Sequence, residues 1–324
     1  MKKVMSLLLV VLLALTVFTA CSPAEKVGMD VAMLKGPTGF GSVELMKKAE
    51  EGKAANNYNF TLAGSPEEIK ASIINGEFEI AALPTNVAAT LYHKANADIQ
   101  IMAINTLGTL YVVTKGVEIK SMADLKGQEI FATGQGAMPQ YVTEYLLKEN
   151  NIDPEKDVTV TYLGEHAALA TKVLESKDPI IAVLPQPFVT QVMMNDQNVK
   201  IAVDMTEEWN KVTNGESVLS MGCVVVNKTF AQKNPAAVKA FLDEYKASIE
   251  YTNSNPAEAA KLIEKYGIAA KAALAQKAIP GCHATFIDGT EMKEKLGGLF
   301  DVLYAANPAS IGGKIPDDAF YYSK

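Results

Sequence analysis

The 324-residue chain contains no arginine, and all 30 of its basic residues are lysines. A guanidinium group binds a carboxylate through two parallel hydrogen bonds, and lysine cannot reproduce that geometry. This clamp, common where amino acids are bound, is therefore excluded. A lysine such as Lys35, or the free amide groups at the start of a helix, could still hold an anion.

Cysteine is also scarce, with three residues at Cys21, Cys223 and Cys282. No Cys-x-x-Cys motif or Cys/His cluster has the spacing of a metal site, so we expect no metal and no cofactor. If Cys21 is used otherwise, Cys223 and Cys282 form an even pair, and a disulfide between them would suit an exported protein. Two buried thiols are an equally open alternative.

Familiar catalytic motifs are missing as well. The sequence has no Gly-x-Ser-x-Gly and no His-Glu-x-x-His. Of the three histidines, His93 falls in a predicted helix and His283 follows Cys282, whereas His166 follows Glu165 in a predicted loop. Catalysis by His166 would need a hydrogen-bonded partner. An enzyme is therefore a rival interpretation, not the preferred one.

The amino terminus reads as an export signal. Met1–Ala20 holds two lysines, an apolar run from Leu7 to Leu15 and small residues before Cys21. The run is shorter than the roughly 20 residues of a membrane-spanning helix. Phe18 to Ser22 resembles the bacterial lipobox, whose cysteine is lipidated, although Phe18 replaces the usual Leu; a plain secretory signal is the alternative. We expect residues 1–20 to be removed and residues 21–27 to form a lipidated tether outside the cytoplasm.

The remaining chain is long and acidic. Loss of Lys2 and Lys3 takes the formal net charge from −7 to −9. Such a chain is a poor partner for nucleic acid or for an anionic membrane surface. Its 304 residues exceed the size at which chains usually split into domains, so we expect two lobes.

One pattern occurs twice. Glu79–Asn86 is repeated about a hundred residues later as Ile180–Pro187, and each copy reads as a buried parallel strand followed by proline. Each is preceded by a strand and a helix and leads to a further strand, Ile99–Thr106 or Val199–Met205. The repeat predicts an α/β fold with one β-α-β-α-β unit in each lobe. Open sheets of this kind bind ligands at the carboxyl ends of their strands.

The chain is expected to cross between the lobes twice. A new series of elements begins at Tyr111–Val113, and the long apolar run Val218–Asn227 reads as the strand that leads back. We therefore predict a first lobe from residues 28–107 and 228–324. The second lobe would comprise residues 108–227, with the two hinge crossings.

Four stretches together resemble a known family: Ser121–Gln128, Thr133–Gly136, Asn234–Leu242 and Asn255–Ala260. They are similar to segments of the substrate-binding lipoproteins of ABC importers, in the subgroup that binds nitrate, alkanesulfonates and thiamine-pyrimidine precursors. The resemblance implies a two-lobed type II periplasmic-binding-protein architecture. Each lobe would be an open, mostly parallel sheet flanked by helices, with two crossing strands as the hinge. It also implies a lipid-anchored monomer that captures a small organic molecule between its lobes and delivers it to a permease and its ATPase.

The resemblance places the ligand at the strand-end loops, whose amide, hydroxyl and ring groups can form hydrogen bonds. The implied ligand-binding residues are Gly36, Pro37, Thr38, Ser65, Thr85 and Asn86 in the first lobe, and Gln135, Gly136, Glu165, His166 and Gln186 in the second. Ser65 and Thr85 could instead cap helices, and Asn86 could be solvated. Without arginine, we expect a neutral or mixed heterocycle or another small organic solute ahead of nitrate or an amino acid. A receptor that presents its closed lobes to a sensor is a further alternative.

Overall fold

The computed structural model describes residues 26–323, so the predicted signal segment and Cys21 lie outside the described residues. The strands are β1 (Gly28–Leu34), β2 (Asn57–Ala63), β3 (Ile80–Leu83), β4 (Ile99–Leu107), β5 (Leu110–Lys115), β6 (Glu129–Thr133), β7 (Thr159–Leu163), β8 (Ile180–Pro185), β9 (Lys200–Asp204), β10 (Ser220–Asn227) and β11 (Ala284–Asp288).

The α-helices lie between these strands and in the carboxyl-terminal third. They are α1 (Pro37–Phe40), α2 (Val43–Glu50), α3 (Glu67–Ile74), α4 (Thr85–Lys94), α5 (Met138–Glu149), α6 (His166–Glu175), α7 (Phe188–Asn195), α8 (Met205–Val212), α9 (Lys228–Lys233), α10 (Pro235–Ser254), α11 (Pro256–Lys265), α12 (Ala272–Ala278) and α13 (Gly289–Ala306). Short 3₁₀ helices cover Met122–Leu125, Ile279–Cys282, Pro308–Ile311 and Asp318–Phe320. None of the helices within residues 26–323 is long and apolar enough to cross a membrane.

The strands form two mixed sheets with the same internal order. The first sheet is β11-β4-β10-β3-β1-β2, in which β10 and β11 run against the other strands. The second is β7-β6-β8-β5-β9, in which β5 runs against the others. In each sheet, three neighbouring strands are parallel: β2, β1 and β3 in the first, and β7, β6 and β8 in the second. The next strand in each sheet, β10 or β5, is antiparallel to them and follows a crossing between the lobes. The β-α-β-α-β unit predicted from the repeat is therefore present twice, on a two-lobed α/β fold.

Burial explains why the repeated segments become strands. All four residues of β3 and the first five of β8 are buried, as expected of apolar runs in the middle of a sheet. By contrast β2, at the edge of the first sheet, alternates between exposed and half-buried residues up to its end. The helix α10 packs on the first sheet through Phe241, Leu242, Tyr245 and Ile249, all buried, so their helical spacing marks core residues.

The chain passes between the sheets at residues 108–109, between β4 and β5, and again at residues 205–219, between β9 and β10. Strand β4 ends, and β10 begins, at the edge where β1, β2 and β3 have their carboxyl ends, because β10 is antiparallel to both β3 and β4. In the second sheet β5 begins and β9 ends at the edge where β6, β7 and β8 have theirs. Both crossings thus join the two carboxyl edges, which places these edges at the junction of the lobes.

Three elements differ from the sequence-based expectation. The run Val218–Asn227 contains a strand, β10, as expected. However, β10 lies inside the first sheet, between β3 and β4, whereas the prediction from the sequence assigns residues up to 227 to the second lobe. Met205 begins α8 instead of ending a strand, because the Asp204 carboxylate accepts hydrogen bonds from the amides of Thr206 and Glu207 and so caps the helix. Strand β11 was not foreseen, and its short partly buried sequence carries no strong alternation.

The structure contradicts the predicted disulfide between Cys223 and Cys282. Both are free cysteines. Cys223 lies within β10, beside Leu83 of β3, whereas Cys282 ends a 3₁₀ helix in a separate hydrophobic cluster with Phe40. Burial raises the pKa of both thiols, that of Cys223 to about 12, so both are held as neutral apolar groups. The alternative of two buried thiols describes this protein.

Candidate functional site

The first-lobe residues of the predicted site lie at the carboxyl ends of three neighbouring strands. Gly36 follows β1 with a φ of +86°, a left-handed conformation that favours glycine, and its amide donates to the Ile268 carbonyl at 3.0 Å. Pro37 starts α1, and the Thr38 carbonyl accepts a 3.2 Å hydrogen bond from the Asn105 side chain. Gly36, Pro37 and Thr38 are all half-buried. The loop is therefore anchored on both sides while its surface stays accessible.

The remaining first-lobe candidates differ in how free they are. Ser65 is half-buried, and its side chain does not cap α3. Thr85 is fully buried, and its hydroxyl lies 2.7 Å from that of Ser220, so it fixes the start of α4 against β10. Asn86 is half-buried and its side-chain amide donates weakly, at 3.4 Å, to the Ser310 carbonyl. Of these three, Ser65 has the freest side chain.

The second-lobe loop after β6 is open to solvent. Gln135 and Gly136 are exposed. The Gly136 amide donates to the Gln140 side chain at 2.7 Å, and its carbonyl accepts from the Tyr141 hydroxyl at 2.9 Å. The same hydroxyl accepts a 2.9 Å hydrogen bond from Asn307, which follows α13. The Gln135 side chain is thus presented by a loop that is tied to the first lobe.

Histidine 166 is the best-defined polar group of the second edge. It is half-buried at the first position of α6, and its Nδ1 lies 2.6 Å from the Thr133 hydroxyl at the end of β6. Burial lowers the pKa of His166, an effect that the neighbouring Glu165 carboxylate only partly offsets. The ring centroid lies 5.5 Å from that of Phe188. An imidazole held neutral, with one nitrogen committed to Thr133, can offer its other nitrogen to a ligand.

The side chains of Glu165 and Gln186 differ in their exposure to solvent. The Glu165 side chain is exposed and does not cap α6, although the residue holds the N-cap position. The Gln186 side chain is only 6% exposed. Its Oε1 accepts hydrogen bonds from the amide (3.2 Å) and the hydroxyl (2.8 Å) of Thr190. This oxygen therefore serves α7, while the amide nitrogen points towards Gly281 of the first lobe.

Sequence reasoning missed the residues that join the two edges. The Tyr111 hydroxyl donates to the Gly281 carbonyl at 2.8 Å. His283 Nδ1 lies 2.6 Å from the Gly108 carbonyl in the first crossing, and its Nε2 lies 3.7 Å from Asp204 Oδ2. No local pattern reveals these contacts, since Tyr111 reads as a strand core residue and its partners lie about 170 residues away.

Several helices begin at the facing edges without a side-chain cap, and α4 and α6 are two of them. At α4, Pro84 holds the N-cap position, and at α6 Glu165 does; neither side chain accepts a hydrogen bond from the helix. The first amides of a helix have no intrahelical acceptor and carry the positive end of the helix dipole. Each edge therefore presents more than one uncapped helix start, because α1 and α3 on the first edge and α5 on the second also lack a side-chain cap. Within residues 26–323 no group of three or more His, Cys, Asp or Glu side chains could hold a metal ion.

The geometry defines a two-lobed protein with polar strand-end loops at the junction of its lobes, and comparison with known proteins agrees. Residues 55–277 match the family described as "ABC transporter, phosphonate, periplasmic substrate-binding protein". The chain belongs to this family of solute-binding proteins. Its function is accordingly to capture a small-molecule solute outside the cytoplasm for an ABC importer.

Solved structures show the same fold. An ABC transporter protein from Parabacteroides distasonis is 26% identical, with a TM-score of 0.77 over 93% of this chain and 100% of its own. The periplasmic aliphatic sulphonate binding protein SsuA from Escherichia coli is 15% identical, with a TM-score of 0.67 over 92% and 94%. The periplasmic nitrate-binding protein NrtA from Synechocystis PCC 6803 is 12% identical, with a TM-score of 0.54 over 83% and 75%. A comparison with curated protein sequences finds no match.

Proposed function

We propose that the solute is a small organic molecule with an oxyanion head of the phosphonate or sulfonate kind, held between the two carboxyl edges and passed to the importer's permease. The observation that carries this proposal is that both edges present helix starts without a side-chain cap, with α4 among those on one edge and α6 among those on the other. The description of the family and the sulphonate named for SsuA from Escherichia coli support the same chemistry.

An oxyanion does not require arginine at such a site. The free amides at the starts of α4 and α6 can donate hydrogen bonds to anionic oxygens, and the helix dipoles favour the negative charge. A neutral His166 adds a donor if the Thr133 hydroxyl donates to its Nδ1, because the ring proton is then on Nε2. Without arginine, the protein binds the charge of an oxyanion less strongly, but these donors can still hold it.

The carboxylate of Glu165 narrows the solute further. It is exposed at the start of α6, beside His166. A second negative charge on the solute would be repelled there, whereas an amino group or another hydrogen-bond donor would be favoured. We therefore infer a mixed solute that carries a donor near its oxyanion, such as an aminoalkylphosphonate. The expectation from the sequence is broader, a neutral or mixed heterocycle or another small organic solute.

The same proposal covers the protein's setting in the cell. We infer that the mature chain acts as a monomer, anchored by lipid at Cys21 through the tether of residues 21–27. We also infer that it binds without catalysis. The hydrogen-bond partner of His166 is the hydroxyl of Thr133, and a neutral hydroxyl activates a histidine for catalysis only weakly.

A thermal-shift screen of the chain from Ser22 onward tests the proposal. The panel comprises aminoalkylphosphonates, alkylphosphonates, alkylsulfonates, nitrate, amino acids and neutral heterocycles. A ligand bound only by the folded form at about 100 times its Kd adds about 2.7 kcal/mol to the free energy of unfolding. We expect the largest rise with an aminoalkylphosphonate, and a smaller rise in His166→Ala than in the matched variant His93→Ala. A rise with neutral heterocycles alone would contradict the oxyanion.

A further inference from the structure

A crevice of about 370 Å³ lies at the seam where α7 of the second lobe meets the segment after α12 of the first. This seam crevice has walls from both lobes. Tyr111, Gln186, Met193 and Met194 line it from the second lobe, and Lys277 and Gly281 from the first. Its volume lies within the range of small-molecule sites in proteins.

Most of the crevice surface is apolar, and its methionines are open to solvent. Met193 is 36% exposed and Met194 is 43% exposed. Ile201, on the adjoining strand β9, is 42% exposed. These are three of the six most exposed large apolar side chains within residues 26–323. Methionine adapts its shape to an apolar partner at little cost. The cluster therefore suits an apolar chain or ring.

A nearly buried polar group faces into the same space. Gln186 is 6% exposed, and its Oε1 is occupied by Thr190. Its Nε2 has no acceptor among the described residues, and a methyl group built on Gly281 would lie 2.6 Å from it and 3.0 Å from the Tyr111 hydroxyl. The inner end of the crevice thus offers an amide donor that the protein itself leaves unused, which costs free energy unless solvent or a ligand accepts from it.

Lys277 is the one charged side chain among the residues that line the crevice, while the Asp204 and Glu207 carboxylates lie near the opposite wall, where they add to the burial that raises the pKa of Tyr111. Lys277, in the last turn of α12, is exposed and forms no ion pair with any carboxylate in the part of the chain that the structure describes. An ammonium group beside an apolar surface favours a ligand that is negatively charged at one end and apolar elsewhere.

We propose that the seam crevice is a second binding site, for a small amphipathic anion of the medium-chain carboxylate class, and that Gln186 serves this crevice and not the solute site. The apolar chain packs against Met193 and Met194, and the carboxylate takes its contacts from Gln186 Nε2 and Lys277. Since both lobes form the walls, the ligand favours the arrangement in which they are together, and so it raises the affinity of the solute site. The proposal does not depend on which solute occupies that site.

The test is a titration of the chain from Ser22 onward with hexanoate and octanoate, followed by calorimetry and by NMR of ¹³C-methyl methionine. The methyl signals of Met193 and Met194, assigned with Met→Leu variants, should move, while those of buried methionines such as Met292 stay in place. Each buried methylene is worth about fourfold in affinity (about 0.8 kcal/mol), so octanoate, with two more methylenes, should bind about sixteenfold more tightly than hexanoate.

Two variants make the test specific. Met194→Glu places a carboxylate in the crevice and should weaken octanoate binding at least about tenfold, while Met194→Leu and the distant Ile74→Glu should not. Gly281→Ala fills the space beside Gln186 Nε2 and should weaken it about tenfold through loss of one hydrogen bond. No octanoate binding by the wild type, or binding that Met194→Glu leaves unchanged, would overturn the site. Displacement of octanoate by the solute, instead of tighter solute binding in the presence of octanoate, would overturn the proposal of two separate, positively coupled sites.

Discussion

Removal of one hydroxyl group should weaken the closure of the lobes without a matching loss of stability in the ligand-free protein. The Tyr111 hydroxyl donates to the Gly281 carbonyl at 2.8 Å and so bridges the second lobe to a segment of the first. Replacing Tyr111 by Phe keeps the buried ring and removes this hydrogen bond together with the 3.5 Å contact between the hydroxyl and His283 Nε2. A neutral hydrogen bond contributes about 0.5–1.5 kcal/mol net, which corresponds to an affinity change of about two- to thirteenfold.

Because the bond joins the second lobe to a segment of the first, its loss should appear as weaker solute binding. The assay is isothermal titration calorimetry with the best solute from the screen, beside the melting temperature of the ligand-free protein. Tyr162→Phe is the matched control, because the Tyr162 hydroxyl is buried and has no hydrogen-bond partner among the described residues. Unchanged affinity in Tyr111→Phe, or an equal loss in Tyr162→Phe, would refute the reasoning.

Three further predictions concern the hinge, the thiols and the histidine. Gly108→Ala should lower stability by about 1–3 kcal/mol, because the new methyl would lie 2.2 Å from Thr206 Oγ1, and urea denaturation should show partial recovery when Thr206→Ala is added. Cys223 and Cys282 should react with a thiol reagent only after unfolding, and a reductant should not change the melting temperature; a drop on reduction would contradict the free thiols. Burial depresses the pKa of His166 below its unfolded value of 6.5, so its contribution to stability should be present above pH 6.5 and be lost as the pH falls below it. Melting curves between pH 7.5 and 5 should therefore depend less on pH in His166→Asn.

The fold could be predicted because the signals that determine it are local and repeated. The apolar runs that become β3 and β8 each precede proline, and their spacing revealed the duplication before any contact was known. The strand β10 was found as an apolar run, but its place between β3 and β4 was not, because pairing of residues more than a hundred positions apart leaves no mark on periodicity.

The site was harder to predict because position at a strand end does not decide what a side chain contacts. Thr85 and His166 both begin helices at the facing edges, yet Thr85 is buried against Ser220 and His166 is half-open beside Thr133. The seam contacts of Tyr111 depend on how the carboxyl-terminal third folds back on the second lobe. Such contacts follow from the tertiary arrangement and are absent from the local sequence.

The measurement that tests the central claim most directly is the solute affinity of charge variants at the two helix starts. Asn86→Asp and Ala167→Asp place a carboxylate in the first turns of α4 and α6, where it favours the helix but repels an anionic ligand. Ala257→Asp, at the exposed start of α11, is the matched control. If the solute is an oxyanion held by both edges, calorimetry will show a loss of affinity of about tenfold or more in each of the first two variants, with melting temperatures held and the control unchanged. Full affinity in either variant would contradict capture between the two edges.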